Sequence, residues 1–64
     1  MNIIKQTRLE KGISQKKLAE LVGVSRETIA AYENGRCLPS IRVAIKLSEI
    51  LDIPIEELLK EVTV

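Results

Sequence analysis

The 64-residue chain contains no histidine, phenylalanine or tryptophan, and it has only one tyrosine, Tyr32, and one cysteine, Cys37. A lone cysteine cannot form a disulfide within the chain, and without histidine no common zinc cluster can be assembled. No nucleophile is placed with a base, and the adjacent Glu56 and Glu57 diverge on a helix. We therefore expect neither an enzyme nor a metal or other cofactor.

Cys37 is expected to be a loop residue that fills an apolar gap. The alternative is a redox switch or an intersubunit disulfide. A reactive thiol needs a local positive field, which only the neighbouring Arg36 offers.

Long apolar runs are also missing from the sequence. No stretch approaches the ~18 residues of a membrane span, and the N-terminus lacks the apolar stretch of a secretory signal. We therefore expect a cytoplasmic protein without a membrane partner. Residues 1–64 are expected to form a single domain, which at this size buries only about 60% of its unfolded surface. A subunit interface would add useful burial.

The aliphatic residues that are present recur at helical spacing, so we predict an all-α fold of five helices. The first runs from about Ile3 to Lys11 and stops at Gly12. The fourth starts behind Pro39 and Ser40 and runs to about Asp52. Its inward residues are predicted to be Ile41, Ala44, Leu47, Ser48 and Leu51, widened by Val43, Ile45 and Ile50. The fifth has Pro54 in its first turn and buries Leu58 and Leu59.

The second and third helices follow from the segment Gln15 to Gly35. The second starts at Gln15 behind a Ser14 N-cap and ends at Gly23, where a left-handed residue is needed. Ser25 caps the third. The inward residues of the two helices are predicted to pack together: Leu18, Ala19 and Val22 from the second, Ile29 and Tyr32 from the third.

This spacing resembles the phage-repressor type of helix-turn-helix, the Cro and XRE family of regulators. The residues that agree in register are Gln15, Leu18, Ala19, Gly23, Ser25, Ile29, Glu33, Asn34 and Gly35, with Ile4, Arg8, Gly12, Ile13, Pro39 and Ser40 outside them. The resemblance covers nearly the whole chain, although Thr7 and Pro54 depart from it. It implies a compact five-helix bundle in which helices two and three form the helix-turn-helix.

The function that the resemblance implies is sequence-specific binding of double-stranded DNA by a transcriptional regulator associated with the nucleoid. We expect a repressor, because so short a chain has little surface for recruiting polymerase. In such proteins the N-terminus of helix three enters the major groove. The expected base-reading residues are Arg26, Glu27, Thr28 and Ala31. Arg26 can donate a bidentate pair to guanine, whereas Glu27 either accepts from cytosine or offsets the helix dipole.

Phosphate contacts are expected to position the domain on the duplex. Gln15 and the free N–H groups at the start of helix two can hold one phosphate, and the resemblance assigns Asn34 to another. Asn34, Gly35 and Arg36 are expected to form this second phosphate clamp, with a left-handed Gly35 that presents N–H groups outward; the alternative for Asn34 and Gly35, which is compatible with it, is a plain helix C-terminal turn. The further candidates are Lys16, Lys17, Ser40 and Arg42. The resemblance also implies a partly buried ion pair between Arg8 and Glu33; the alternative is two exposed charges.

Charge is distributed unevenly along the chain, whose net charge is +1. Up to Arg36 there are seven basic and four acidic residues, a net +3, and from Cys37 onward three basic and five acidic, a net −2. This distribution indicates one face that meets phosphates and an opposite end that meets solvent or a partner; the alternative, on charge alone, is ordinary solvated helix faces.

We expect a homodimer on a palindromic operator, with its interface at helix five. The interface residues predicted from surplus apolar side chains are Ile50, Ile53, Ile55, Leu59 and Val62. The alternative is an antitoxin-like module whose main partner is another protein.

Overall fold

The bounds of the helices are set by residues that cap them. In a computed structural model, which describes the backbone of residues 2–62 and the side chains of residues 3–60, the helices are α1 (Asn2–Glu10), α2 (Gln15–Val22), α3 (Arg26–Glu33), α4 (Ile41–Leu51) and α5 (Ile55–Val62). No strand occurs within residues 2–62. The predicted all-α fold is confirmed, and α1 lies one residue earlier than expected.

Three serines open the central helices. Ser14, Ser25 and Ser40 have extended dihedral angles, and the side-chain oxygen of each accepts the backbone N–H three residues later. Each serine thus satisfies a donor that the first helical turn leaves without an intrahelical partner. The predicted starts of α2, α3 and α4 are confirmed.

The start of α5 differs from the prediction by one position. Pro54 lies just before the helix, and its carbonyl accepts the N–H groups of Glu57 and Leu58. Proline therefore stands at the N-cap rather than inside the first turn. Its fixed φ suits this place, and its missing N–H costs nothing there.

Left-handed residues end the helices. Gly23 has φ 88°, and both its N–H and that of Val24 donate to the carbonyl of Ala19. At the end of α4 the left-handed residue is Asp52, with φ 55°. Aspartate is one of the few residues with a side chain that tolerate this conformation. These two turns reverse the chain between α2 and α3 and between α4 and α5.

One apolar core joins the helices, with α4 packed against α1, α2 and α5, and α3 against α1 and α2. Its buried residues are Ile4, Leu18, Ala19, Val22, Ile29, Tyr32, Ala44, Leu47, Leu51, Ile53 and Leu58. The predicted packing of α2 on α3 is present. Ala19 at this crossing lets the two helices approach closely.

The inner face of α4 is narrower than predicted. Ala44, Leu47 and Leu51 are buried, but Ile41 is 61% exposed and Ile45 is 47% exposed. Ile45 lies about 100° around the helix axis from Ala44, and Ile41 is one turn before Ile45 on the same side. The prediction that Ile41 and Ile45 face inward is therefore wrong. Of the predicted pair in α5, Leu58 is buried and Leu59 only half-buried.

Substituting Gly23 tests the left-handed end of α2. A Cβ added at Gly23 would meet no atom within 4 Å, so only the backbone conformation is penalised. We expect Gly23→Ala to lower the free energy of unfolding by about 1 kcal/mol. Urea unfolding followed by circular dichroism measures the change.

Gly23→Asn is the matched control, because asparagine has a side chain yet accepts left-handed angles. It should lose less stability than Gly23→Ala. Equal stability of the alanine variant and the parent chain would contradict this role of Gly23.

Candidate nucleic-acid interface

The first turn of α2 presents backbone donors beside the Gln15 side chain. Ser14 takes two N–H groups of this turn, that of Lys17 through its side chain and that of Leu18 through its carbonyl. The N–H groups of Gln15 and Lys16 are then the first-turn donors left for an anion. Because the N-terminus of a helix also carries partial positive charge, this end suits a phosphate oxygen.

The carboxylate of Glu33, at the end of α3, binds two side chains from other parts of the fold. Arg8 of α1 donates to it from Nε at 2.8 Å and from Nη2 at 3.4 Å. Gln15 donates from Nε2 at 3.0 Å. The Arg8 and Glu33 side chains are only 9% and 3% exposed, so the predicted ion pair is present and largely shielded from water.

Arg8 also reaches the turn before α2. Its Nη1 donates to the carbonyl of Ile13 at 2.9 Å. The guanidinium therefore links α1, the turn that leads into α2 and the end of α3. A planar group with donors on several nitrogens can make these bonds at once, which lysine could not.

The bond to Glu33 orients the amide of Gln15. One N–H of Nε2 points to the carboxylate, so the second N–H of the same nitrogen is the donor available to a phosphate. Sequence reasoning did not find this contact. Gln15 and Glu33 are 18 positions apart, and no local pattern connects a helix start with the end of the next helix.

The start of α3 exposes two of the four side chains predicted to read bases. Arg26 and Glu27 are exposed, and their charged groups approach to 3.7 Å. Thr28 is half-buried, and its hydroxyl shares a 2.8 Å hydrogen bond with Ser25 Oγ. Ala31 is also half-buried. Arg26 is thus the longest exposed donor at this helix end, with a carboxylate beside it.

The turn after α3 differs from the predicted phosphate clamp. The N–H groups of Asn34, Gly35 and Arg36 donate to the carbonyls of Ala30, Tyr32 and Ala31, respectively. We expected the left-handed Gly35 to present N–H groups outward, and this expectation is wrong because those donors close the helix end. The exposed side chains of Asn34 and Arg36 remain available.

The remaining phosphate candidates are exposed. Ser40 Oγ accepts the N–H of Val43 at 3.4 Å, which leaves its hydroxyl hydrogen free to donate elsewhere. Lys16, Lys17 and Arg42 extend into solvent. Their flexible, charged side chains suit phosphate contacts that need no fixed geometry.

Cys37 lies in the loop, as predicted, but it is exposed and fills no apolar gap.

The side chain of Tyr32 is buried in the core. Burial raises the pKa of the Tyr32 phenol above 10.0, and the nearby charge of Cys37 raises it further. Tyr32 therefore stays neutral at physiological pH and acts as a core residue.

The residues predicted to form a dimer interface are mostly used by the core. Ile53 is only 5% exposed, so this part of the prediction is wrong. Ile50, Ile55 and Leu59 are half-buried. Val62 lies outside the described side chains.

The helix-turn-helix family model matches residues 4–58 of the chain. The HTH-type transcriptional regulator YgzD of Bacillus subtilis is 41% identical over 56 residues, which cover 88% of this chain and 85% of that protein. An HTH-type transcriptional regulator of Archaeoglobus fulgidus is 42% identical over 55 residues, covering 86% of this chain and 79% of that protein.

Two further matches are a solved DNA-binding domain and a much longer archaeal protein. The N-terminal DNA-binding domain of SinR from Bacillus subtilis matches with a TM-score of 0.78 and 40% identity, covering 88% of this chain and 83% of that one. A protein of Methanocaldococcus jannaschii named as an HTH-type transcriptional regulatory protein is 47% identical over 53 residues. The chain spans only 17% of the length of that archaeal relative.

The described residues contain neither a metal-binding cluster nor a membrane-spanning helix. Among residues 3–60, no group of three or more cysteine or acidic side chains is arranged to hold a metal ion. Between residues 2 and 62, no helix has the length and apolarity needed to cross a bilayer.

Neutralising Glu33 tests the buried ion pair. Glu33→Gln leaves the Arg8 charge shielded from water without its counter-charge, at a cost of about 3 kcal/mol. For a domain of this size, the melting temperature should fall by about 10 °C or more. Differential scanning calorimetry measures the shift.

Glu10→Gln and Asp52→Asn are the matched controls. Glu10 is exposed, and Asp52 makes an exposed ion pair with Lys11 at 3.2 Å. Exposed pairs contribute little, so each control should change the melting temperature by a few degrees at most. A shift in Glu33→Gln as small as in these controls would refute the structural role of the pair.

Proposed function

Because the chain belongs to the XRE-type helix-turn-helix family of DNA-binding transcriptional regulators, we propose that it is a sequence-specific repressor that binds a palindromic operator as a homodimer. The observation that carries the proposal is the rigid link between two surfaces. Glu33 joins the end of α3 to Gln15 at the start of α2. The helix that reads bases and the helix end that holds a phosphate are therefore fixed relative to each other.

In the proposed complex, the N-terminus of α3 enters the major groove. Arg26 donates two parallel hydrogen bonds to O6 and N7 of a guanine. Glu27 stands beside Arg26, where it holds the guanidinium until DNA replaces it, or accepts from a cytosine amino group. Thr28 contacts a thymine methyl or a phosphate at the edge of the same surface, and the small Ala31 lets α3 approach the bases.

Phosphates on both sides of the groove are held by a second set of residues. Gln15 binds one phosphate with its second amide N–H and the backbone donors of the first turn of α2, and Lys16 and Lys17 add charge. The Asn34 side chain binds another. Arg36 and Ser40 extend this second contact along the backbone, and Gly35 contributes through the shape of its turn.

A repressor role requires only that the operator is occupied, because a bound protein excludes others from the same groove. Two copies related by a two-fold axis would read the two halves of a palindrome. Their recognition helices would lie about 34 Å apart, one turn of DNA.

Selection of bound duplexes from a random pool tests the proposal. The parent chain should enrich palindromic sites that contain a guanine in each half. Arg26→Ala should become indifferent to that base pair, with a loss of about 1–3 kcal/mol on the selected site. Arg26→Lys keeps the charge but not the fork geometry, so it should lose the guanine preference as well.

Gln15→Ala and Asn34→Ala are the matched comparison. Both should weaken binding to selected and scrambled duplexes alike, and because both side chains are neutral the dependence of affinity on salt should stay the same. Failure of the parent chain to enrich any site above the input pool would contradict sequence-specific binding. Enrichment that Arg26→Ala leaves unchanged would contradict the assigned role of Arg26.

A further inference from the structure

The outer face of α4 carries large apolar side chains that the core does not use. Ile41 is 61% exposed and Ile45 is 47% exposed. Leu38, just before the helix, is 55% exposed. Single exposed aliphatic residues are ordinary, but three within eight positions, two of them one turn apart, suggest a contact surface.

The residues along this face are regularly spaced. Ile41, Ile45 and Ser48 follow each other at intervals of four and three, the spacing at which one helix packs along another. Arg42 and Glu49 are both exposed and lie seven positions apart, which is two turns along the same side of α4. Ile41 and Ile45 thus form an apolar line on α4, and beside it the exposed charged residues are Arg42 and Lys46 towards the start and middle of the helix and Glu49 towards its end.

We propose that this face binds the same face of a second copy of the chain, with the two α4 helices antiparallel and the two-fold axis near Ile45. The charges supply the reason for choosing a second copy. In an antiparallel pair, Arg42 of each protomer lies opposite Glu49 of the partner subunit, and Ile45 meets its own copy. A surface that is complementary to itself in this way forms an isologous interface.

This inference rests on the homodimer of the proposed function and locates its subunit contact. At the alternative location, the interface predicted around α5, three of the described apolar side chains are already used by the core. Ile53 is buried there, and Ile50 and Ile55 already pack against the core. The pairing with Glu49 also assigns Arg42 to the subunit contact in place of a phosphate.

The size of the face sets the strength of the expected dimer. A standard interface uses 20–30 residues a side and about 800 Å² per partner. The α4 face provides only a few side chains. The free protein should therefore be in a concentration-dependent equilibrium between monomer and dimer, and two half-sites on one duplex would favour the dimer by raising the effective concentration.

Sedimentation of the free protein over a range of concentrations tests the contact without DNA. Ile45→Lys places two like charges at the two-fold axis and should raise the dimer dissociation constant by about tenfold or more. Leu9→Lys is the matched control, since Leu9 is 59% exposed on α1, and it should leave the constant unchanged. Circular dichroism confirms that each variant is folded.

A charge exchange tests the antiparallel register. Arg42→Glu and Glu49→Arg each place like charges opposite one another and should weaken the dimer. The double variant restores opposite charges and should recover most of the dimer. A purely structural effect of either substitution would not be reversed by the other.

A parent chain that stays monomeric at all concentrations would overturn the inference, as would a dimer that Ile45→Lys leaves intact and Ile55→Lys dissociates. Failure of the double variant to recover the dimer would overturn the antiparallel register. Binding of duplex DNA is measured separately, so a parent chain that binds DNA sequence-specifically but forms no dimer through α4 would refute only this inference. Dimers that select no duplex sequence would refute only the proposed function.

Discussion

Both the packing of this domain and the arrangement of its candidate binding surface depend on the hydrogen bonds to the carboxylate of Glu33. It accepts Arg8 from α1 and Gln15 from the start of α2, while Glu33 itself closes α3. Two nearly buried charges are costly to remove from water, so the pair adds orientation more than net stability. Its value is that the helix carrying Arg26 cannot shift without disturbing Gln15, the residue that we propose holds a phosphate.

Local chemistry explains why so much of this fold could be predicted from the sequence. Ser14, Ser25 and Ser40 are N-caps whose effect lies within three residues, and Gly23 can adopt the positive φ that the end of α2 requires. The buried residues of α2 and α3 follow from helical spacing. These features need no knowledge of distant contacts.

The wrong predictions concern residues whose burial or hydrogen bonding depends on their neighbours in the folded structure. Ile45 fits an apolar stripe on α4 but is 47% exposed, and Ile53 looks like a surplus apolar residue in the sequence but belongs to the core. Gly35 was expected to offer its N–H, yet the end of α3 uses that donor. The Gln15 contact with Glu33 has no sequence signal, because both residues are polar and far apart along the chain.

A double-mutant cycle tests most directly whether Glu33 orients Gln15 for DNA binding. The affinities of the parent chain, Gln15→Ala, Glu33→Gln and the double variant for one selected duplex are measured below the unfolding transition. If Glu33 orients Gln15, then Glu33→Gln should weaken binding clearly in the parent chain and much less once Gln15 is alanine, a coupling of about 1 kcal/mol. Equal losses in both backgrounds would show that the two residues act independently and would contradict the account.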